Sequence, residues 1–328
     1  MPVGVSNMKT RSGPLNILLT GGGGFIGSHV VDAYLRAGHR VTVVDNLSTG
    51  KVSNLNKRAQ FFQEDIRSAT LDTIVRQFRF DVINHHAAHI DLRHSVTNPW
   101  HDAEVNILGT LNLLECACRY GIKRVIFAST GGAIYGDQGP YPTPESCPAR
   151  PVSPYGVAKL TGEHYLHYYQ TVHQLRPVTL RYANVYGPRQ DPRGEAGVVA
   201  IFIHRLLHGE RPTIFGDGCQ TRDFVFVGDV VRANLLALDY LNENSGDSDP
   251  LVVNVGTGQE LSVNELSCLL KKLRSSVPEA IYAPPKPGEQ RRSALDPSRA
   301  KRMLGWEPLV PLEGGLKETW DWFRDGLR

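Results

Sequence analysis

The stretch "LLTGGGGFIGSHVVDAYLRAG" at positions 18–38 runs from apolar residues into four consecutive glycines and then becomes amphipathic. Glycine in series loses backbone entropy on folding and gives a core nothing to pack. A fold tolerates such a run only where it needs bare backbone, at a tight turn or beside a ligand. The flanks say which. "LNILLT" reads as a buried strand, and "FIGSHVVDAYLRA" as a helix with one apolar face, closed by Gly38. In this frame Gly21 permits the turn off the strand and Gly24 lets backbone N–H groups approach a pyrophosphate. Gly27 lets the helix lie close to the sheet. The phosphate charge would sit at the positive end of the helix, which opens at Phe25 and Ile26.

Similar units follow. "RVTVVD", "AQFFQED", "DVINHHAA", "RVIFAST" and "PVTLRYANVYG" read as strands. Between them "LDTIVRQF", "PWHDAEVNILGTLNLLECACRYG" and "PYGVAKLTGEHYLHYYQTVH" read as helices, the second as one long helix ending at Gly121. Continuous apolar strands alternating with helices imply an α/β fold, a doubly wound parallel Rossmann sheet of about seven strands. After Gly187 the elements shorten and Pro and Gly become frequent. The expected organisation is a disordered tail over 1–14, a dinucleotide-binding domain over 15–181, and a smaller interleaved substrate lobe over 182–328. A return to the main sheet is expected near 219–240, through "TRDFVFVGDVV".

The 36 basic and 33 acidic residues leave a net charge of +3, too balanced to predict nucleic-acid or membrane-surface binding. No apolar run is long enough to span a bilayer, and "MPVGVSNMKTRSGP" lacks the apolar core of a signal peptide, so a cytoplasmic location is expected. Cys116, Cys118, Cys147, Cys219 and Cys268 are scattered and read as free thiols. His164/His167 and His204/His208 have helical spacings but lack the glutamate of H-E-x-x-H, and no metal is expected.

Asp45 closes the second strand, where a carboxylate accepts hydrogen bonds from the adenosine ribose hydroxyls and repels a 2′-phosphate. That favours NAD over NADP, with a turn-forming Asp in "DNLSTG" as the alternative; Asn46 beside it joins the cofactor set. Asp65 and Ile66 end the third strand, within reach of the adenine. "SPYGVAKLTGEHY" places Tyr155 and Lys159 on one helix face. A phenol of pKa near 10 is a poor base at neutral pH, and a neighbouring ammonium lowers that value. A third member is expected from a strand end. "FASTGGAIYG" offers Thr130, taken as catalytic, with Ser129 as the alternative. The histidines 85, 86 and 89 end a strand and read as packing residues, with one of them lining the site as the alternative.

Taken together, "TGGGGFIGSH", "VVDNLSTGK", "HHAA", "EVNILGTLNLLECA", "FASTGGAIYG", "SPYGVAK", "LRYANVYGPRQ", "RDFVFVGDV", "NVGTG" and "KPGEQRRSALDPSRA" resemble the extended short-chain dehydrogenase/reductase family. Within it they resemble the nucleotide-sugar 4-epimerases, in family order from about residue 15 to the end. The resemblance implies NAD as cofactor, with Ala87 and Ala88 on the nicotinamide-ribose side and Asn106 on the cofactor-facing helix. It implies Asn184 and Arg222 as holders of the nucleotide pyrophosphate, Glu289 at the nucleoside ribose, and Val199, Ser129 and Thr130 within the substrate set. An ion pair to Asp223 or Asp229 is the alternative for Arg222, and Lys286 stands where family members often carry arginine. A homodimer is expected.

Dehydratases of this kind need an Asp-Glu pair after the catalytic threonine, and the related decarboxylases a glutamate; here Gly131 and Gly132 follow Thr130. What remains is 4-epimerisation of a UDP-sugar, UDP-glucose/UDP-galactose first. Ser293 would leave room for the N-acetyl group of UDP-N-acetylglucosamine, and Arg189 and Arg193 make UDP-glucuronate the other alternative. A non-catalytic NAD sensor is the competing class, and the intact Thr–Tyr–Lys set argues against it.

Overall fold

The computed structural model describes residues 13–137, 139–193, 197–244, 250–273, 278–285 and 290–326. Its centre is a seven-stranded parallel sheet. The strands are β1 (Asn16–Thr20), β2 (Arg40–Asp45), β3 (Gln60–Gln63), β4 (Val82–His85), β5 (Arg124–Thr130), β6 (Arg176–Tyr182) and β11 (Leu251–Val255). Their spatial order is β11-β6-β5-β4-β1-β2-β3. The order reverses between β1 and β4, and ligands of open parallel sheets bind in the crevice beyond the strand ends at such a point.

Strand residues alternate between the two faces, and both faces are covered. Ile17, Leu19, Val43, Ile126 and Leu180 share one buried cluster with Val30 and Tyr34 of the helix Phe25–Arg36 and Val230 and Leu238 of Val227–Glu243. Leu18, Val44, Ile83, Val125 and Phe127 share the other with Ile74 of Thr70–Phe78, Leu113 of Gly109–Arg119 and Leu166 of Pro154–His173. The doubly wound Rossmann sheet expected from the strand–helix alternation is therefore the architecture found.

Two expectations need correction. The strand that returns to the main sheet from the second half is β11, not the segment near 219–240. There, β10 (Phe224–Phe226) pairs in parallel with β7 (Asn184–Tyr186) apart from the main sheet. Only the helix that follows, Val227–Glu243, packs on the main sheet. The second lobe has two more strand pairs: β9 (Thr221–Arg222) with β12 (Leu261–Ser262), and β8 (Thr213–Phe215) with β13 (Ile281–Ala283). The long helix expected to end at Gly121 is continuous from Pro99 to Arg119 but not uniformly α-helical. Pro99–Ala103 passes into one wide π turn, Glu104–Leu108, before Gly109–Arg119 resumes α geometry. Its apolar periodicity is continuous in the sequence, so nothing local announces the extra residue.

Candidate active site

A cavity of about 520 Å³ opens over the ends of β1, β2 and β4, within the size range of small-molecule sites. The glycine turn forms its floor: Gly21, Gly24, Phe25, Ile26 and Gly27 all line it. Gly21 has φ +77°, and a Cβ there would stand 2.6 Å from the Ala87 nitrogen, so only glycine brings β1 this close to the segment after β4. Gly24 caps the helix Phe25–Arg36 without a side-chain hydrogen bond, leaving the first-turn amides available to an anion.

Asp45 lines the cavity and also organises the turn: its carboxylate accepts from the Gly23 and Leu47 amides, each at 2.8 Å. The turn-forming and ribose-facing readings of Asp45 are thus compatible. Asn46 and Asp65 line the same wall and are joined at 2.9 Å. The Arg67 guanidinium grips both oxygens of Asp65 and holds that carboxyl down at about 2. Ile66, Ala87 and Ala88 complete this side. Asn106 does not line the cavity. It accepts from the His89 amide at 2.9 Å and donates to the His89 carbonyl at 2.8 Å and to Asp102 at 3.0 Å, clamping the backbone behind Ala87 and Ala88.

The helix Pro154–His173 supplies the opposite wall. Ser153 caps it by accepting from the Gly156 amide at 3.1 Å, which places Tyr155 in the first turn and Lys159 one turn deeper. Both line the cavity. Lys159 is buried, donates to the Ala128 carbonyl at 2.9 Å and lies 4.9 Å from the Phe127 ring centre. Burial pushes its ammonium down to about 8, against the carboxylates of Asp102 and Glu163. Burial, then the charge of Lys159, takes His86 down to about 3. His85 bridges Thr20 and Thr110 at 2.7 and 2.9 Å, and His86 meets the Tyr182 hydroxyl at 3.2 Å.

Ser129 and Thr130 part company. The Ser129 hydroxyl is buried and donates to Glu163 at 2.6 Å, although the residue borders the cavity. Thr130 ends β5, and a Cβ built on Gly132 would stand 3.8 Å from its hydroxyl oxygen and 3.7 Å from Asn184 Oδ1. Asn184 Oδ1 is buried with no hydrogen-bond partner, so an acceptor and a hydroxyl converge on one spot. Neither Thr130, Asn184 nor Arg222 borders the cavity itself.

Asp223 is occupied by the Thr257, Gly258 and Leu295 amides, and Asp229 by those of Leu309 and Val310 and by Arg232. Arg222 donates to the Thr221 carbonyl at 2.8 Å. Val199, expected near the substrate, is instead fully buried in the core of the second lobe. Ser293 is buried, and Glu289 and Lys286 lie outside the described residues. His94 and His101 also line the cavity, their rings 5.6 Å apart and each close to His89; no motif in the sequence marked these two. Among the described residues no group of His, Cys, Asp and Glu is arranged to hold a metal ion.

The profile of the family described as "NAD dependent epimerase/dehydratase family" matches residues 17–256. The chain belongs to that family. The chain is similar to a UDP-glucose 4-epimerase of Mycolicibacterium smegmatis, 42% identical over 316 residues, 95% of this chain and 99% of that one. The crystal structure of the Thermotoga maritima UDP-glucose 4-epimerase with UDP-glucose superimposes with a TM-score of 0.92 at 51% identity, covering 96% of this chain and all of that one. The Thermus thermophilus UDP-glucose 4-epimerase in complex with NAD gives 0.87 at 44% identity, covering 94% and 99%. The cofactor of this NAD dependent epimerase/dehydratase family suits the residues here: a helix N-terminus with no side-chain cap, glycines where backbone must come close, and a carboxylate at the end of β2.

Proposed function

We propose that the chain is an NAD-dependent UDP-sugar 4-epimerase that interconverts UDP-glucose and UDP-galactose. One observation carries the proposal: Tyr155 and the buried Lys159 face the glycine turn across one cavity, with glycines after Thr130 where water-eliminating relatives need carboxylates. The likeness to the Thermotoga maritima enzyme solved with UDP-glucose supports the choice of sugar.

In this reading the glycine turn of Gly21, Gly24 and Gly27, with Asp45, would hold NAD, which when bound would supply a reversible hydride acceptor for the sugar C4. Tyr155 removes the proton of the 4-hydroxyl and later returns it, its phenolate favoured by the Lys159 ammonium. The Thr130 hydroxyl holds the sugar oxygen during that exchange. Asn184 and Arg222 hold the nucleotide diphosphate, leaving the oxidised sugar free to present its other face. Glu289 would hold the nucleoside ribose.

A homodimer belongs to the same reading. Val96, Trp100 and Leu108, 62%, 76% and 56% exposed, lie on consecutive helical segments, as an apolar patch facing a second copy would. So does a cytoplasmic location, which the five unpaired cysteines suit. No helix among the described residues is long and apolar enough to cross a membrane.

Incubation with UDP-glucose, UDP-N-acetylglucosamine and UDP-glucuronate in parallel, followed by NMR of the products, tests the function. UDP-galactose should accumulate from the first without net NADH. Stoichiometric NADH or a stable 4-keto product would overturn the epimerase assignment, and turnover confined to another sugar would move the substrate. Tyr155→Phe should lower turnover by roughly 10²–10⁴.

A further inference from the structure

The side chains behind Thr130 form a buried polar chain that the proposed chemistry does not use. Ser129 and Arg181 are register partners on β5 and β6, so both point to the face covered by the helix Pro154–His173. Glu163 meets them there, one turn beyond Lys159 on the same side of that helix. Its Oε1 accepts from the Ser129 hydroxyl at 2.6 Å and from Arg181 Nε at 3.0 Å, and its Oε2 from Arg181 Nη2 at 2.6 Å. Arg181 Nη1 donates onward to the Tyr135 hydroxyl at 2.7 Å, which donates to Asn254 Oδ1 at 2.9 Å. Asn254 sits beside Arg181 on β11 and donates to the Thr143 carbonyl. The ion pair is closed off, with 9% of the Arg181 side chain and 7% of Glu163 exposed.

A buried ion pair is a weak source of stability, because desolvation opposes the attraction. Here it fixes a distance. β5 carries the hydroxyl of Thr130, the helix carries Tyr155 and Lys159, and helix and strand are joined by Ser129–Glu163 and by Lys159 to the Ala128 carbonyl. We infer that Ser129, Glu163 and Arg181 act as positioning residues, holding β5 and the helix Pro154–His173 at one separation so that Thr130 and Tyr155 reach the same sugar oxygen. This rests on the epimerase reading, and it assigns Ser129 to the frame and not to the substrate.

Ser129→Ala removes the cross-link and leaves the Glu163–Arg181 pair intact. It should lower kcat roughly 10-fold to 100-fold, as small misplacements of reacting groups do. The KM for UDP-glucose should stay within about twofold, since only groups that act in the transition state are displaced. Ser129→Thr restores the hydroxyl and should recover most of the loss.

Glu163→Gln keeps the shape and removes a charge near Lys159, whose charged or titratable neighbours also include Asp102, His85, His86 and Tyr155, one turn back on the same helix. Losing a carboxylate that raises the proton affinity of Lys159 should move the basic limb of kcat to lower pH, while Ser129→Ala leaves the limb in place. A role in stability alone would lower Tm without moving that limb or separating kcat from KM. If Glu163→Gln does not fold, Ser129→Ala decides. Hydrogen exchange of residues 128–131 and 155–159 in the NAD-loaded protein reads the same separation without a sugar, and should quicken at these residues in Ser129→Ala. Unchanged kcat and exchange in that variant would overturn the inference, whereas a wild type that epimerises no UDP-sugar would overturn the function alone.

Discussion

Gly27→Ala isolates the close approach on which the cofactor turn depends. Gly27 lies inside the helix Phe25–Arg36, where alanine is the better helix former by about 1 kcal/mol. Its Cβ would stand 2.2 Å from the Gly21 carbonyl oxygen and 2.9 Å from the Gly21 carbonyl carbon. A relaxed carbon–oxygen contact is about 3.3 Å, so roughly 1 Å must open between helix and turn. The turn has little room to give, since the Gly21 amide donates to the Val44 carbonyl at 2.9 Å and its α-carbon faces Ala87. Overpacking against fixed structure costs about 1–3 kcal/mol, and a backbone neighbour argues for the upper end. With the propensity gain subtracted, the expected net loss is about 2 kcal/mol, a fall in Tm of roughly 3 °C for a chain of 328 residues. NAD should be lost on gel filtration as the first-turn amides retreat. Thermal unfolding with and without added NAD, alongside Gly314→Ala, is the assay. Gly314 meets nothing within 4 Å in its helix, so that variant should match or exceed wild type. A Gly27→Ala protein with unchanged Tm and full NAD content would refute the steric reasoning.

Lys159→Met should leave stability at pH 7 equal or higher while turnover collapses by at least roughly 10²-fold. The sign follows from burial: the folded pKa, about 8, lies below the unfolded value near 10.4, so the folded state disfavours the charge at pH 7. Wild-type stability should therefore gain as pH rises from 8 toward 10, and the advantage of Lys159→Met should shrink over that window, as urea titrations at several pH values would show. Asp45→Ala should reduce NAD affinity by roughly tenfold or more and narrow the preference over NADP, measured on cofactor-stripped protein, because the turn and the proposed ribose contact would be lost together. Trp100→Glu should shift sedimentation from dimer to monomer without altering the far-UV spectrum, and an unchanged sedimentation coefficient would remove Trp100 from the proposed dimer contact.

How much was legible in the sequence depended on how local each cause is. The sheet was readable because its strands are short, continuous and apolar, and the glycine turn because it joins strand to helix with no other use for four glycines. The spacing of Tyr155 and Lys159 predicted a shared face, and both line the cavity. The choice between Ser129 and Thr130 was not readable: alternation says they face opposite ways, but only the packing of the helix on β5 says which faces Glu163. Asn106 lies on the expected helix, yet its side chain turns to the His89 backbone. Val199 sits in "VVAIFIHRLL", whose apolar face reads equally as core, and core is where it lies. The two-residue and three-residue strands of the second lobe carry too little pattern to be distinguished from loops.

An α-helix is a ruler graduated every 100°, so each residue's bearing is set by all those before it. The wide turn at Glu104–Leu108 resets that ruler midway. Upstream of it Asp102 faces the His89 loop, and downstream of it Leu113, Leu114 and Ala117 face the sheet, two bearings that one uninterrupted helix would lock together. A single-residue deletion inside the turn would regularise the helix and swing one set away from its partners. Drift in length can therefore be absorbed in the exposed loops of this chain but not here, where one residue acts as the phase correction between the cofactor wall and the core.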